Sequence, residues 1–345
     1  MWRFELTGSM SGPQIGRAVT EGTFMTEPRF INQKEFRGWA EHALQRTVDP
    51  AAGIYGPDSM MWKLGKETIA FFGGGRAALL QLAHPWVANA IDQHSQTRDD
   101  PLGRFRRTFI NVFTMIYGNA DQVMRAANHV RLIHTRIRGT LPEDSGAFAK
   151  DSHYAANEVG AMLWVHATLW DTQMRMYELV FPALTATEKA RYYEETKLFA
   201  HLFGIPDDAI PPDWGAFQQY MNRMYDSDEI TARSVGREMG HMIFNFGGPI
   251  KPALSWLQVM TAYMMPDRLR AEFELPPDTP ANRKTYERGL KMLKAVYPRL
   301  PNRIRYVPSF IEAERRLAGK PHADLITQGI NLAWFGQREL VSAGR

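Results

Sequence analysis

The amino-acid sequence predicts an all-α protein built as a single large helical domain. Three observations carry this. Apolar residues recur at helical spacing from about Gln33 onward, helix-starting and helix-stopping residues bracket those stretches, and no convincing period-2 series marks a strand.

In chain order, residues 1–32 are rich in Gly, Thr and Pro and read as an N-terminal arm. Met61–Phe72 is followed by Gly73, Gly74 and Gly75, which read as a helix breaker, and Arg76–His94 resumes with a kink or break at Pro85. Pro101 opens the next helix in its first turn, and Gly118 stops it after Tyr117. Asn119 is the expected N-cap of a helix over 120–138 that closes at Gly139. A polar loop through Pro142, Asp144, Ser145 and Gly146 leads to a long apolar helix over about 155–180. Thr185 and Glu188 form a capping box for a helix ending before Gly204. Beyond the loop at Pro206, Pro211 and Pro212, helices are predicted near 213–225, 228–243, 251–265, 281–296 and 308–318. No repeat or clear boundary divides the chain, so 33–265 is expected as the core and 266–345 as a helical C-terminal extension of the same domain.

Composition narrows the chemistry. With 345 residues and 44% hydrophobic side chains, the chain can bury a large core and is neither disordered nor collagen-like. The absence of cysteine removes thiol nucleophiles, Cys-ligated zinc and iron–sulfur clusters, leaving His, Asp, Glu, Tyr and Met as ligands. Against 37 acidic residues stand 41 basic ones, a net charge of +4 spread along the chain. Nucleic acid is therefore not an expected partner, because phosphate neutralisation needs a concentrated basic face. Met1–Arg17 lacks an apolar leader core and a twin-Arg pair, and no run reaches the roughly 18 apolar residues of a membrane span, so a cytoplasmic location without an integral membrane segment is expected.

The ten histidines are the first ligand candidates. At about 100° per residue, Val123, Ala126, Ala127, Val130, Ile133 and Ile137 share one face of the 120–138 helix, and His134 falls inside that arc. Arg131 and Arg138 lie at its border, so an imidazole facing the interior is flanked by two guanidinium groups. A flat cofactor with an apolar ring and anionic edges suits that set: metal on the imidazole, carboxylates on arginine. In the 155–180 helix, His166 sits mid-face among Val159, Met162, Leu163, Leu169, Trp170 and Tyr177. A lone histidine on an apolar face is more often a hydrogen-bonded core residue than a ligand, and spacing does not choose between His134 and His166. In the helix opened by Pro101, Phe105, Phe109, Val112, Phe113 and Ile116 define the core side, beside a stripe of Arg104, Thr108, Asn111 and Met115. Such a stripe is a solvated edge unless a cavity faces it, in which case a cation and a hydroxyl one turn apart can hold an oxyanion. Arg76, His84 and His94 are further polar points in apolar surroundings. A di-iron bundle needs two Glu-x-x-His pairs, and only Glu238 to His241 is found.

Four strings in order, Arg76–Pro85 (RAALLQLAHP), Pro101–Thr108 (PLGRFRRT), Arg131–Gly139 (RLIHTRIRG) and Leu163–Leu169 (LWVHATL), resemble the rubber oxygenase (latex clearing protein) and MpaB oxygenase family over roughly 35–265. The resemblance implies a globin-like helical core around haem b, with dioxygen as co-substrate and oxidative attack on an apolar molecule, up to cleavage of carbon–carbon double bonds. It makes His134 the proximal iron ligand, Arg104 and Thr108 the distal pair, and His166 a supporting residue near the haem. Where rubber oxygenases can carry a lysine that closes the sixth iron position, this sequence has Arg107, whose guanidinium has no lone pair for iron. The family's acidic residue near the haem has Asp92 as its nearest counterpart by position. The expected function is therefore a haem-b-dependent oxygenase with an apolar small or medium-sized substrate and an unidentified electron donor. The alternative on the same scaffold is a non-catalytic haem carrier or gas sensor.

Overall fold

The computed structural model describes residues 28–47, 49–95, 98, 100–244 and 251–342, and among these sixteen α-helices and one two-stranded ribbon succeed one another. The chain opens with α1 (Gln33–Gln45), α2 (Met60–Gly65), a 3-10 segment over Thr68–Gly73, α3 (Gly74–Leu82), α4 (Pro85–His94), α5 (Pro101–Tyr117) and α6 (Ala120–His134). Strands β1 (Arg138–Thr140) and β2 (His153–Ala155) pair antiparallel and lead into α7 (Val159–Val180) and α8 (Ala186–His201). There follow α9 (Trp214–Asp226), α10 (Ser234–Phe244), α11 (Lys251–Ala262), α12 (Asp267–Glu272) and α13 (Pro280–Val296). The last are α14 (Asn302–Arg305), α15 (Pro308–Leu317) and α16 (Leu325–Phe335). The all-α class is thus observed. Of the predicted N-terminal arm, residues 1–27 lie outside the described residues.

The long helix α7 is the axis of the molecule. Met162, Trp164, Ala167, Trp170 and Met174 are buried around its circumference, and α2, α3, α8 and α13 pack on it. A helix apolar all round belongs in the interior. Its Trp164 Nε1–H donates to the Leu80 carbonyl at 2.7 Å, so the buried indole keeps a partner. Among the described residues no helix is long and apolar enough to cross a membrane.

Local signals placed most helix starts. Asn119 and Thr185 each close a capping box, with Gln122 and Glu188 respectively. Pro101 and Pro85 both sit in the first turns of their helices, where a missing N–H costs nothing. Three expectations need correction. The glycine triplet is no breaker: Gly73 ends the 3-10 segment and Gly74 and Gly75 begin α3. A Cβ on Gly73 would stand 2.5 Å from Thr172 Cγ2, and one on Gly75 2.9 Å from Thr261 Oγ1, so close approach to α7 and α11 calls for glycine there. The helix over 120–138 stops at His134, because the Ile137 carbonyl accepts from Ala156 N–H and the chain turns into β1. With it, Ile137 joins a satellite cluster of Trp86, Leu141, Phe148 and Tyr154, and Ile133 is half exposed. The ribbon itself was not foreseen, since three-residue strands are too short to show a period of two.

Buried charge staples the helices together. Arg76, 1% exposed, pairs with Asp171 at 2.7 Å, and also donates to the Met264 carbonyl, Thr172 Oγ1 and the Tyr225 hydroxyl. On α15 the buried Glu312 carboxylate accepts from the backbone N–H of Leu340 and Val341, from Ser342 Oγ and from Asn331 Nδ2. Glu312→Gln replaces one accepting oxygen by a donor facing those N–H groups. We expect it to cost about 1–3 kcal/mol, read as a lower denaturation midpoint.

Candidate cofactor site

The tight connection at Gly118–Asn119 folds α5 and α6 into an antiparallel packed pair. Arg104, near the start of α5, and His134, the last residue of α6, both lie about 20 Å along their helices from that turn, at 1.5 Å rise per residue.

His134 is the last residue of α6. Its ring stands 6.1 Å from that of Phe203, and neither ring nitrogen has a hydrogen-bond partner among the described residues. The residue is only partly exposed, and the protein around it, followed by the positive charge of Arg131, lowers its pKa to about 4. The imidazole is therefore neutral at pH 7 and keeps a lone pair for a ligand, although a helix C-terminus by itself favours imidazolium.

Arg131, one turn earlier and buried, donates Nη2–H to the Ile31 carbonyl at 2.6 Å and lies over the Phe36 ring. Its Nε and Nη1 have no partner. Two unpaired guanidinium N–H groups in a dry place are costly unless an anion completes them. Arg138 does not flank the histidine on the same helix as the period had suggested. It sits on β1, exposed, and donates to the Thr135 carbonyl.

His166 is buried in α7, 6.1 Å from the Phe199 ring, and Phe199 in turn lies 5.2 Å from Phe203. Phe199 on α8 and Phe203 in the turn after it therefore border His166 and His134 respectively. Trp170 Nε1–H donates to His166 Nδ1 at 2.9 Å. An indole only donates, so Nδ1 carries the lone pair and the neutral ring holds its proton on Nε2. Burial, then the charge of His201, lowers its pKa to about 3. The i, i+4 spacing of His166 and Trp170 was visible in the sequence; that their bond fixes the tautomer was not.

On α5, Arg104 is half-buried with neither an ion-pair nor a hydrogen-bond partner among the described residues, and burial followed by nearby Arg107 lowers its pKa. Thr108 is exposed and also unpartnered. Met115 of the predicted stripe is fully buried, whereas Phe105 of the predicted core side is 37% exposed. Arg107 turns to Asp100 at 3.2 Å. Asp92 is held by Arg98, which also binds Glu238. Glu238 thus turns from His241, whose Nε2 meets the Phe273 carbonyl. His84 is buried against Phe148 and Trp86, and His94 is exposed. Arg76 is fully engaged by Asp171. Two surface depressions are lined by residues of α9 and of the α13 end, none of them a predicted site residue. Among the described residues no three His, Asp or Glu side chains converge to hold a metal ion on their own.

Three histidines share one titration behaviour. Burial lowers His84 to about 4, as it does His134, and His166 to about 3. Each is neutral when folded and takes up a proton near pH 6.5 when unfolded. Their contribution to stability is thus complete above about pH 6.5 and is lost as pH falls toward 4, at ~1.4 kcal/mol per pH unit for each proton. Urea midpoints are expected to drop steeply between pH 6.5 and 4; a level profile there would mean these rings are charged in the native state.

The structure thus presents a helical body with a neutral imidazole one turn from an arginine with unpaired N–H groups. Residues 61–295 match the family model described as "ER-bound oxygenase mpaB/B'/Rubber oxygenase, catalytic domain". The chain belongs to that oxygenase family, and the four strings noted above fall within the matched span. Searches of curated proteins and of solved structures gave no match.

Proposed function

We propose that the chain is a haem-b-dependent oxygenase that uses dioxygen to attack an apolar small or medium-sized substrate, with His134 holding the iron. The observation that supports it is a neutral, unbonded imidazole one turn from an arginine with two buried, unpaired N–H groups, in a member of an oxygenase family. That donor set fits a porphyrin, which needs one axial nitrogen from the chain and cations for its carboxylate edge. Haem b, when bound, supplies dioxygen activation, which no side chain here provides.

The chain's own groups divide the remaining work. His134 offers one nitrogen to iron and leaves the other for an acceptor that orients the ring. Arg131 holds a carboxylate through Nε–H and Nη1–H, and Arg138 is the second cation for that edge. His166, protonated on Nε2 and fixed by Trp170, donates a hydrogen bond and does not bind iron. Arg104, which has no ion-pair partner among the described residues, and the Thr108 hydroxyl would supply a cation and a hydrogen-bond donor to an oxyanion. Arg107, tied to Asp100, closes no coordination position. Phe203, packed against the His134 ring, shields it from water and gives an apolar substrate a surface. An external electron donor and a cytoplasmic location complete the reading.

The test is the visible spectrum of the chain purified after expression with ample haem. A Soret band is expected, and its absence ends the proposal. With reductant and a panel of unsaturated lipids, an Arg104→Ala, Thr108→Ala double variant should keep the band and lose roughly 10²–10³ in dioxygen uptake. Undiminished uptake would remove both residues from the chemistry.

A further inference from the structure

Helix α16 carries apolar residues on both sides. Its inward face is mixed: Phe335 is buried against Phe113, Thr327 and Asn331 are buried and bonded to Asp324 and Glu312, and Gln328 donates to the Ala323 carbonyl. Its outward face carries Leu325, Ile326, Gly329, Leu332 and Ala333, which fall within about 60° of one direction and are all exposed. Leu325, Ile326 and Leu332 are 82%, 57% and 51% exposed, and Leu325–Phe335 contains no charged residue. Soluble helices point such residues inward, so a continuous apolar face turned outward marks a contact surface.

The surroundings indicate what it contacts. Trp334, 58% exposed, lies at the end of α16, stacked on Phe71, with the half-exposed Phe105 of α5 beside that ring. Over residues 315–342, four basic side chains (Arg315, Arg316, Lys320 and Arg338) outnumber two acidic ones (Asp324 and Glu339). Asp324 is neutralised by Arg303, exposed Lys320 and Arg338 form no ion pair among the described residues, and exposed Arg106, near the charge of Asp100, donates to the Ala333 carbonyl of α16. An uncharged apolar helix face, with an exposed tryptophan at the helix end and exposed basic side chains on the adjoining segments, has the chemistry of an element lying in the headgroup layer of an anionic membrane.

We infer that α16 docks the protein on the surface of a lipid bilayer containing anionic phospholipid, its outward face inserted and Arg106, Lys320 and Arg338 against the headgroups. The inference is independent of the haem reading. Its test is sedimentation of the full chain with phosphatidylcholine vesicles with and without phosphatidylserine, beside light scattering of the chain alone. The full chain should bind vesicles containing phosphatidylserine. An Ile326→Glu, Leu332→Glu double variant should bind about tenfold or more weakly with its far-UV circular dichroism unchanged. Arg106→Ala with Arg338→Ala should lower binding to the anionic vesicles alone. No binding by the full chain, or equal binding by the glutamate variant, overturns the inference. So does a dimer that the glutamate variant splits without any vesicle binding, which would make a second copy of the chain the occupant.

Discussion

Replacing His134 by alanine is expected to abolish the Soret band of the purified protein, whereas His166→Ala should leave most of it. The two rings differ in what they can offer. His134 is neutral and has both nitrogens free of partners, so a lone pair is available without breaking any bond. The lone pair of His166 is already engaged by Trp170 Nε1–H, and the free nitrogen bears the proton. Turning His166 into a ligand would leave a buried indole N–H unpaired, at about 1–3 kcal/mol. His134 also closes α6 at a partly exposed position, so its truncation should leave the helix content unchanged by circular dichroism, and added imidazole should restore part of the band. A band lost in the His166 variant and kept in the His134 variant would exchange the two assignments.

Asp171→Ala should be among the most destabilising single changes in the molecule, at about 3–5 kcal/mol. Asp171 sits 2.7 Å from the guanidinium of Arg76, and both side chains are almost wholly buried. Removing the carboxylate strands a cation in the interior, since the remaining partners of Arg76 are a carbonyl and two hydroxyls that neutralise nothing. Replacing both members by apolar residues should cost much less, because the penalty comes from the unpaired charge and not from the loss of attraction. Denaturant midpoints of the two single variants and the double variant measure the difference.

What the sequence disclosed follows from the range over which each cause acts. Pro101, Asn119 and Thr185 act within one turn of themselves, so the starts of α5, α6 and α8 were readable. The placement of His134 and His166 on apolar faces was readable for the same reason. The end of α6 was not, because it is decided by the Ala156 N–H that claims the Ile137 carbonyl. Nor was the orientation of Arg131, whose fixed donor reaches Ile31, 100 residues away. The glycines at 73 and 75 look like a break in one dimension and are a close contact in three. α16 was missed because its apolar residues lie on both sides, Phe335 inward and Leu325, Ile326 and Leu332 outward, so no single apolar stripe announces a core-packed helix.

The Arg76 cluster also bears on the order of assembly. Its bonds span 96, 149 and 188 residues of chain, so none can form until α3, α7, α9 and the segment after α11 have already come together. Loop closure over such distances is slow, and contacts that form only after the rate-limiting barrier act on unfolding and not on folding. The cluster is thus placed to work as a latch on the finished structure, and the expected sign is that Asp171→Ala speeds unfolding while leaving the folding rate nearly unchanged, as read by stopped-flow denaturant jumps.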